Sequence, residues 1–187
     1  REALGVPFIT GASGEDGESA TAVASLEEAF QGARDIVAET VADDPEVRAE
    51  MRRITQRRGM LFIALADRTK DAHGVYQLYY DFAGEVRSLR PHQVLAINRG
   101  EREGVLKVTL EIPEAEALGL LALRYPADMG SALAEDLIAA RKDGYSRLLF
   151  PAIERDARRE LTEMADEHAI GVFATNLRAL LLQPPMR

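Results

Sequence analysis

Arg90-Pro-His-Gln-Val-Leu-Ala-Ile-Asn-Arg-Gly-Glu-Arg-Glu-Gly104, continued by Val105-Leu-Lys-Val-Thr-Leu-Glu-Ile112, is the stretch whose reading decides the fold class. Pro91 suits the first turn of a helix, where its missing N–H would have no intrahelical partner. Val94, Leu95 and Ile97 give that helix an apolar side, and Gly100 is placed to take the left-handed conformation that ends it. Beyond Gly104 the period changes. Leu106, Val108, Leu110 and Ile112 alternate with Val105, Lys107, Thr109 and Glu111, the pattern of a half-buried strand. The stretch predicts a short helix, a charged turn and one strand.

Upstream, Met60 to Ala66 is a short apolar run expected to pair with Val105–Ile112, and Asp67-Arg-Thr-Lys-Asp71 reads as a turn. Tyr76, Tyr79, Tyr80 and Phe82 follow. Tyr76 and Tyr80 stand one helical turn apart, which favours core packing over base stacking. Further back, Ser25 and Glu28 form a capping box. The helix it opens carries Leu26, Phe30, Ala33, Val37 and Val41, widened by Ala29 and Ile36. Asp43-Asp44-Pro45 starts a second helix, with Val47, Met51 and Ile54 inside and Gly59 as its stop. Arg48, Arg52, Arg53, Arg57 and Arg58 cover its other face, and near the C-terminus they favour the helix dipole. The two helices resemble the first half of a helix-turn-helix-like module.

Downstream of Pro113 the chain reads as helical. Glu114 to Leu123 is apolar enough to be buried, and Asp128 can cap a helix with Leu133, Leu137 and Ile138 that ends at Gly144. Pro151 opens a final helix of about 50 Å. Its stripe is Ile153, Ala157, Leu161, Met164 and Ala165, resumed by Val172, Phe173, Leu177 and Leu180. Gly171 is a place for it to bend, and Pro184-Pro185 ends it. At the other end, Val6-Pro-Phe-Ile9 is a small apolar patch, and Thr10 to Thr21, rich in Gly, Ser and acid, reads as a flexible linker. The expected class is mainly α, a helical scaffold with a helix-turn-helix-like unit and a small antiparallel β element. The expected domains are an acidic segment (1–21), the helix-turn-helix-like unit with its β element (22–112), and a helical scaffold (113–187) whose long helix leads towards a domain beyond the chain.

Bulk properties narrow the function. There is no cysteine, hence no disulfide, thiolate nucleophile or cysteine-held metal. Three separated histidines and no HExxH make a zinc site an unsuitable reading. No carboxylate pair has a histidine or lysine at catalytic spacing, so no enzyme and no cofactor is expected. No run approaches a membrane-spanning helix and no secretory leader is seen, so no membrane partner and a cytoplasmic location are expected. The net charge is −8, which argues against a strong nucleic-acid footprint for the whole. Yet residues 52–107 hold 11 Lys and Arg against 6 Asp and Glu, while the remainder holds 12 against 25. The basic middle is suited to an anionic partner.

Within it, the candidate phosphate contacts are Arg87, Arg90, Arg99, Arg102 and Lys107, supported by Arg57 and Arg58. His92 can contact a phosphate, or serve as a capping or packing residue. Asn98 can read an adenine edge, or satisfy backbone groups at its helix end. Glu101 and Glu103 share the turn with the arginines and dilute its pull on phosphate.

Several stretches together carry a family resemblance. Gly32-Ala-Arg-Asp-Ile-Val-Ala-Glu39, Tyr79-Tyr-Asp81, Pro91-His-Gln-Val-Leu-Ala-Ile-Asn-Arg-Gly-Glu101 and Glu103-Gly-Val-Leu106 resemble the bacterial Tex transcription accessory proteins. So do Arg147-Leu-Leu-Phe-Pro151, Glu154-Arg155 and Asn176-Leu-Arg-Ala-Leu-Leu-Leu182. The resemblance covers most of residues 22–183. Where many members have Ser-His-Arg, this chain has Pro91-His92-Gln93, one cation fewer, and residues 11–20 look like a local insertion. The resemblance implies a multidomain, mainly helical nucleic-acid-binding protein, with an RNase-H-like domain, helix-hairpin-helix motifs and an OB-type RNA-binding domain beyond this stretch. It implies RNA or DNA as partner, mainly through those other domains, and the transcription machinery as a further one. Two readings stay open: auxiliary nucleic-acid binding by the basic middle, or a protein-interaction scaffold that docks other domains.

Overall fold

The computed structural model describes residues 25–182. The acidic N-terminal segment and Pro184-Pro185 lie outside them. The chain divides into two compact units, one of residues up to Glu50 with Glu114–Ala152, the other of Met51–Pro113 with Ile153 onward. Two of the three boundaries, 50/51 and 152/153, fall inside helices, and the third falls at the start of the helix that opens at Glu114.

In the first unit, α1 (Leu26–Asp43) starts where Ser25 Oγ accepts the Glu28 N–H at 3.2 Å, the capping expected of that pair. Its buried residues are Ala38, Val41 and Ala42. Ile36 is 67% exposed and Ala33 is exposed, so the apolar stripe is narrower than its sequence suggests. The reason is a close approach. α1 packs on α5 (Ala134–Asp143) and on the stretch that follows it. A Cβ on Gly144 would stand 2.7 Å from Ala38 O. That contact centres the buried face on Ala38, and Ile36, two residues away, lies about 200° round the helix.

α2 (Pro45–Arg58) follows after Asp44 alone. Asp44 Oδ1 accepts the N–H groups of Glu46 (2.8 Å) and Val47 (3.3 Å), an N-cap. Its Oδ2 accepts the Tyr125 hydroxyl at 2.8 Å and Arg124 Nε at 3.0 Å, from the end of α4 (Glu114–Arg124). Those two donors, with the cap N–H groups, hold the Asp44 carboxyl down to about 2. α4 buries Ala117 and Leu121 but leaves Leu123 83% exposed, so it is a surface helix rather than the buried one its composition suggests. α5 ends at Asp143 with Gly144 as its C-cap, as its sequence implies, but the chain does not turn there. The chain passes through a π-helical stretch, Gly144–Leu149, into α6 (Phe150–Leu181). The Phe150 N–H bonds to Tyr145 O, five residues back, and the ladder then meets Pro151, which has no N–H to give.

The second unit is built on a three-stranded antiparallel sheet, β1 (Met60–Leu65), β2 (Asp81–Glu85) and β3 (Leu106–Glu111), in the order β2-β1-β3. Met60 pairs with Glu85 and Glu111 at one end, and Leu65 with Leu106 at the other. The expected β1–β3 pairing is present. β2 escapes the sequence reading because its five residues include two acids and a glycine. The core gathers Leu61 and Ile63 of β1, Leu106 and Leu110 of β3, Val94 and Ile97 of α3 (Pro91–Arg102), and Leu161 and Ala165 of α6. Tyr76 is also buried there, as expected of a core aromatic, but residues 76 and 80 lie on no helical turn; a short 3-10 stretch, Gln77–Tyr79, stands between them. α2 presents Met51 and Ile54 inward, at 0% and 2% exposure, as its pattern requires. α6 runs 32 residues, about 48 Å. It passes through Gly171 unbroken, and beyond Ala165 its apolar residues are exposed, Phe173 to 67%. The fold is mainly α with a small antiparallel sheet, as the sequence implies.

Candidate nucleic-acid interface

All eight candidate side chains lie in the second unit, and all are exposed. The sheet sorts them into two groups. At one end the Val86 N–H donates to Gly59 O at 2.9 Å, which places Arg57 and Arg58, closing α2, beside the short turn that carries Arg87. Arg90 follows as the N-cap of α3, with His92 in its first turn. At the other end Arg99 and Arg102 occupy the last turn of α3, and Lys107 pairs across from Ala64. The two ends are five strand residues apart, about 16 Å.

Two further cations join the second group, Arg68 and Lys70. The Ala66 and Asp67 N–H groups both donate to Val105 O, at 2.8 and 3.3 Å, so the Asp67–Asp71 turn sits against the start of β3. A Cβ on Gly104 would meet Lys70 Nζ at 2.7 Å. The sequence reading misses both residues, although the expected β1–β3 pairing was the signal that brings their turn to this place.

Several cations are already engaged. Arg87 Nε lies 2.8 Å from Glu85 Oε2, and Arg99 Nε 2.9 Å from Glu103 Oε1. The guanidinium groups hold both glutamates below the usual carboxylate range, for Glu103 with help from the Tyr76 hydroxyl. Lys70 stands 4.0 Å from Asp67. Among the described residues, Arg102 and Lys107 form no ion pair.

The turn at the end of α3 is bound into the unit from both sides. Asn98 Nδ2 donates to Thr162 Oγ1 at 2.8 Å, and Arg158 Nη2 donates to Asn98 Oδ1 at 3.2 Å. Arg158 also pairs with Glu101. Asn98 thus joins α3 to α6 through its side-chain amide. On the other side the Tyr76 hydroxyl donates to Glu103 Oε2 at 2.8 Å. The loop before it is set by Asp71, whose oxygens accept the Val75 N–H, the Tyr76 N–H and the Tyr80 hydroxyl at 2.7–2.8 Å. Burial pushes the Asp71 carboxyl up, but the bonds from Tyr76, Tyr80 and Val75 outweigh it and leave it low.

Gly100 lies inside the last turn of α3, buried, not at its end. A Cβ there would meet Leu106 Cδ1 at 2.6 Å and Tyr76 Cδ1 at 3.0 Å. The left-handed residue that releases the chain into β3 is Gly104, at φ 71°. At the other end, Gln93 Oε1 accepts the Arg90 N–H at 3.0 Å. An arginine side chain offers no acceptor, so only that half of a capping box is made. Among the described residues, no group of three His, Asp or Glu is placed to hold a metal ion, and no helix is long and apolar enough to cross a membrane.

Residues 14–173 match the family described as Tex central region-like. The chain is 42% identical over 166 residues to the protein YdcI of Bacillus subtilis (strain 168), covering 88% of this chain and 23% of that protein. It is 28% identical over 165 residues to the transcriptional accessory protein Tex of Neisseria gonorrhoeae, covering 84% and 21%. It is 28% identical over 177 residues to the human S1 RNA-binding domain-containing protein 1, covering 88% and 18%. The chain spans about a fifth of the length of these relatives. With the family match running from residue 14 to residue 173, through the whole turn at the end of α3, the chain belongs to the Tex family.

Proposed function

We propose that this chain is a non-catalytic scaffold within a cytoplasmic transcription accessory protein, and that its second unit adds auxiliary phosphate contacts to nucleic-acid binding. The observation that carries this reading is the sorting of exposed cations into two groups about 16 Å apart on one small sheet unit. Arg102 and Lys107 are its main contacts, because Arg99, Arg87 and Lys70 already hold carboxylates. Such contacts give affinity without sequence choice. The relatives named for transcription and for RNA binding supply the context. The pair α1 and α2, joined through Asp44, supports the helix-turn-helix-like part of the reading.

A salt series of this chain against single-stranded and duplex RNA and DNA tests it. Affinity that falls linearly with log salt supports phosphate contact. Binding absent at low salt favours the second reading, a scaffold that docks other domains or a transcription partner. The exposed Ile170, Phe173, Leu177 and Leu180 on α6 support that alternative.

A further inference from the structure

We propose that the open face of the sheet is a stacking platform for an unpaired nucleotide, with the Phe62 ring as its seat, so that the second unit takes single strands in preference to duplexes. This rests on the phosphate contacts proposed above and adds the form of nucleic acid they serve.

The strands set the platform. Leu61 and Ile63 of β1 point into the core, so Met60, Phe62 and Ala64 stand on the opposite face. There Phe62 lies between Ala83 of β2 and Thr109 of β3 in one cross-strand row. All three are exposed, Phe62 to 40%. The row is about 10 Å wide, and its outer members are too small to cover the ring. Phe82, the other aromatic of the sheet, packs against the core. An exposed ring on the middle strand is how sheets that bind single strands present a stacking surface to a base. Bases in a duplex are stacked on one another and offer no such face.

Charge sets the path of the backbone. The Phe62 row carries none. On one side of it lies the row Asp81, Ala64 and Lys107, and on the other the row Glu85, Met60 and Glu111. Lys107, and Arg102 at the same end of the sheet, form no ion pair among the described residues. A phosphate beside the stacked nucleotide is therefore drawn to the Lys107 corner and repelled from Glu111. Asp81, across the Lys107 row and about 10 Å away, keeps that path to the β3 side.

Binding of oligothymidine, oligouridine and a mixed-sequence duplex by this chain and its Phe62 variants tests the platform. Phe62→Ala and Phe62→Leu are each expected to lower single-strand affinity by about 5- to 150-fold per stacked base. Duplex affinity and the single-strand salt slope should stay unchanged, and Phe62→Tyr should keep the affinity. The chain has no tryptophan, so Phe62→Trp supplies a lone fluorophore whose emission should be quenched by single strands and not by duplex. Unchanged single-strand affinity in Phe62→Ala, where Arg102→Glu with Lys107→Glu weakens binding, would overturn the platform and leave the phosphate contacts standing. Equal losses on single strand and duplex would mark a structural role for the ring and overturn it as well. A chain that binds no nucleic acid at low salt would overturn both.

Discussion

Asn98 on α3 and Thr162 on α6, 64 positions apart, are joined by a 2.8 Å side-chain hydrogen bond, and the same asparagine accepts from Arg158. This pair turns the end of α3 from a surface helix terminus into a fixed joint. Asn98→Ala removes one donor and one acceptor from a part-buried site and is expected to lower stability by about 1–2 kcal/mol. Urea midpoints of Asn98→Ala, Thr162→Val and the double variant measure it, and a coupling of at least about 0.5 kcal/mol is expected between them.

Gly100→Ala drives a methyl group into Leu106 and Tyr76 at 2.6 and 3.0 Å. Overpacking of that kind costs about 1–3 kcal/mol. Gly171→Ala, on α6, meets nothing within 4 Å and is expected to stabilise its helix by up to about 1 kcal/mol. The two substitutions are chemically identical and should move the thermal midpoint in opposite directions.

Asp44 ties the start of α2 to Arg124 and Tyr125, and its carboxyl sits near 2 against an ordinary 3.8. A depressed carboxylate contributes stability that is fully present above the ordinary value and is lost as pH falls through the folded one. The contribution should therefore fade between about pH 4 and pH 2. Tyr125→Phe removes the largest cause and should raise the Asp44 titration midpoint, read by carboxyl-carbon NMR. In Asp44→Asn an Oδ1 remains to cap α2, but an amide would face two donors, so this part of the acid dependence should vanish from the urea midpoints.

Arg102→Glu with Lys107→Glu is expected to weaken binding to single-stranded and duplex nucleic acid alike. It should also flatten the salt dependence by about 0.7–0.9 per lost phosphate contact. Arg87→Glu should do less, because Arg87 already holds Glu85. Equal salt slopes for the unchanged protein and the double variant would remove this surface from the proposed function.

The sequence by itself determined the elements whose cause is local. A capping serine, an aspartate before a proline, and a change from helical to alternating period at Gly104 depend on neighbours a few residues away. They placed α1, α2, α3 and β3. Tertiary structure decided which groups meet. Nothing local to Asn98 points to Thr162, and nothing local to Lys70 points to Gly104; both meetings follow from the packing of separate segments. The same holds for the two glycines of the turn between α3 and β3. Gly100 looks like a helix end but is a contact point for Leu106 and Tyr76, and the left-handed turn falls four residues later at Gly104. Helix ends are set by the backbone, but which face of a helix is buried is set by its partner. Ile36 reads as part of the core stripe and stands in solvent because α1 turns its small residues, around Ala38, towards Gly144.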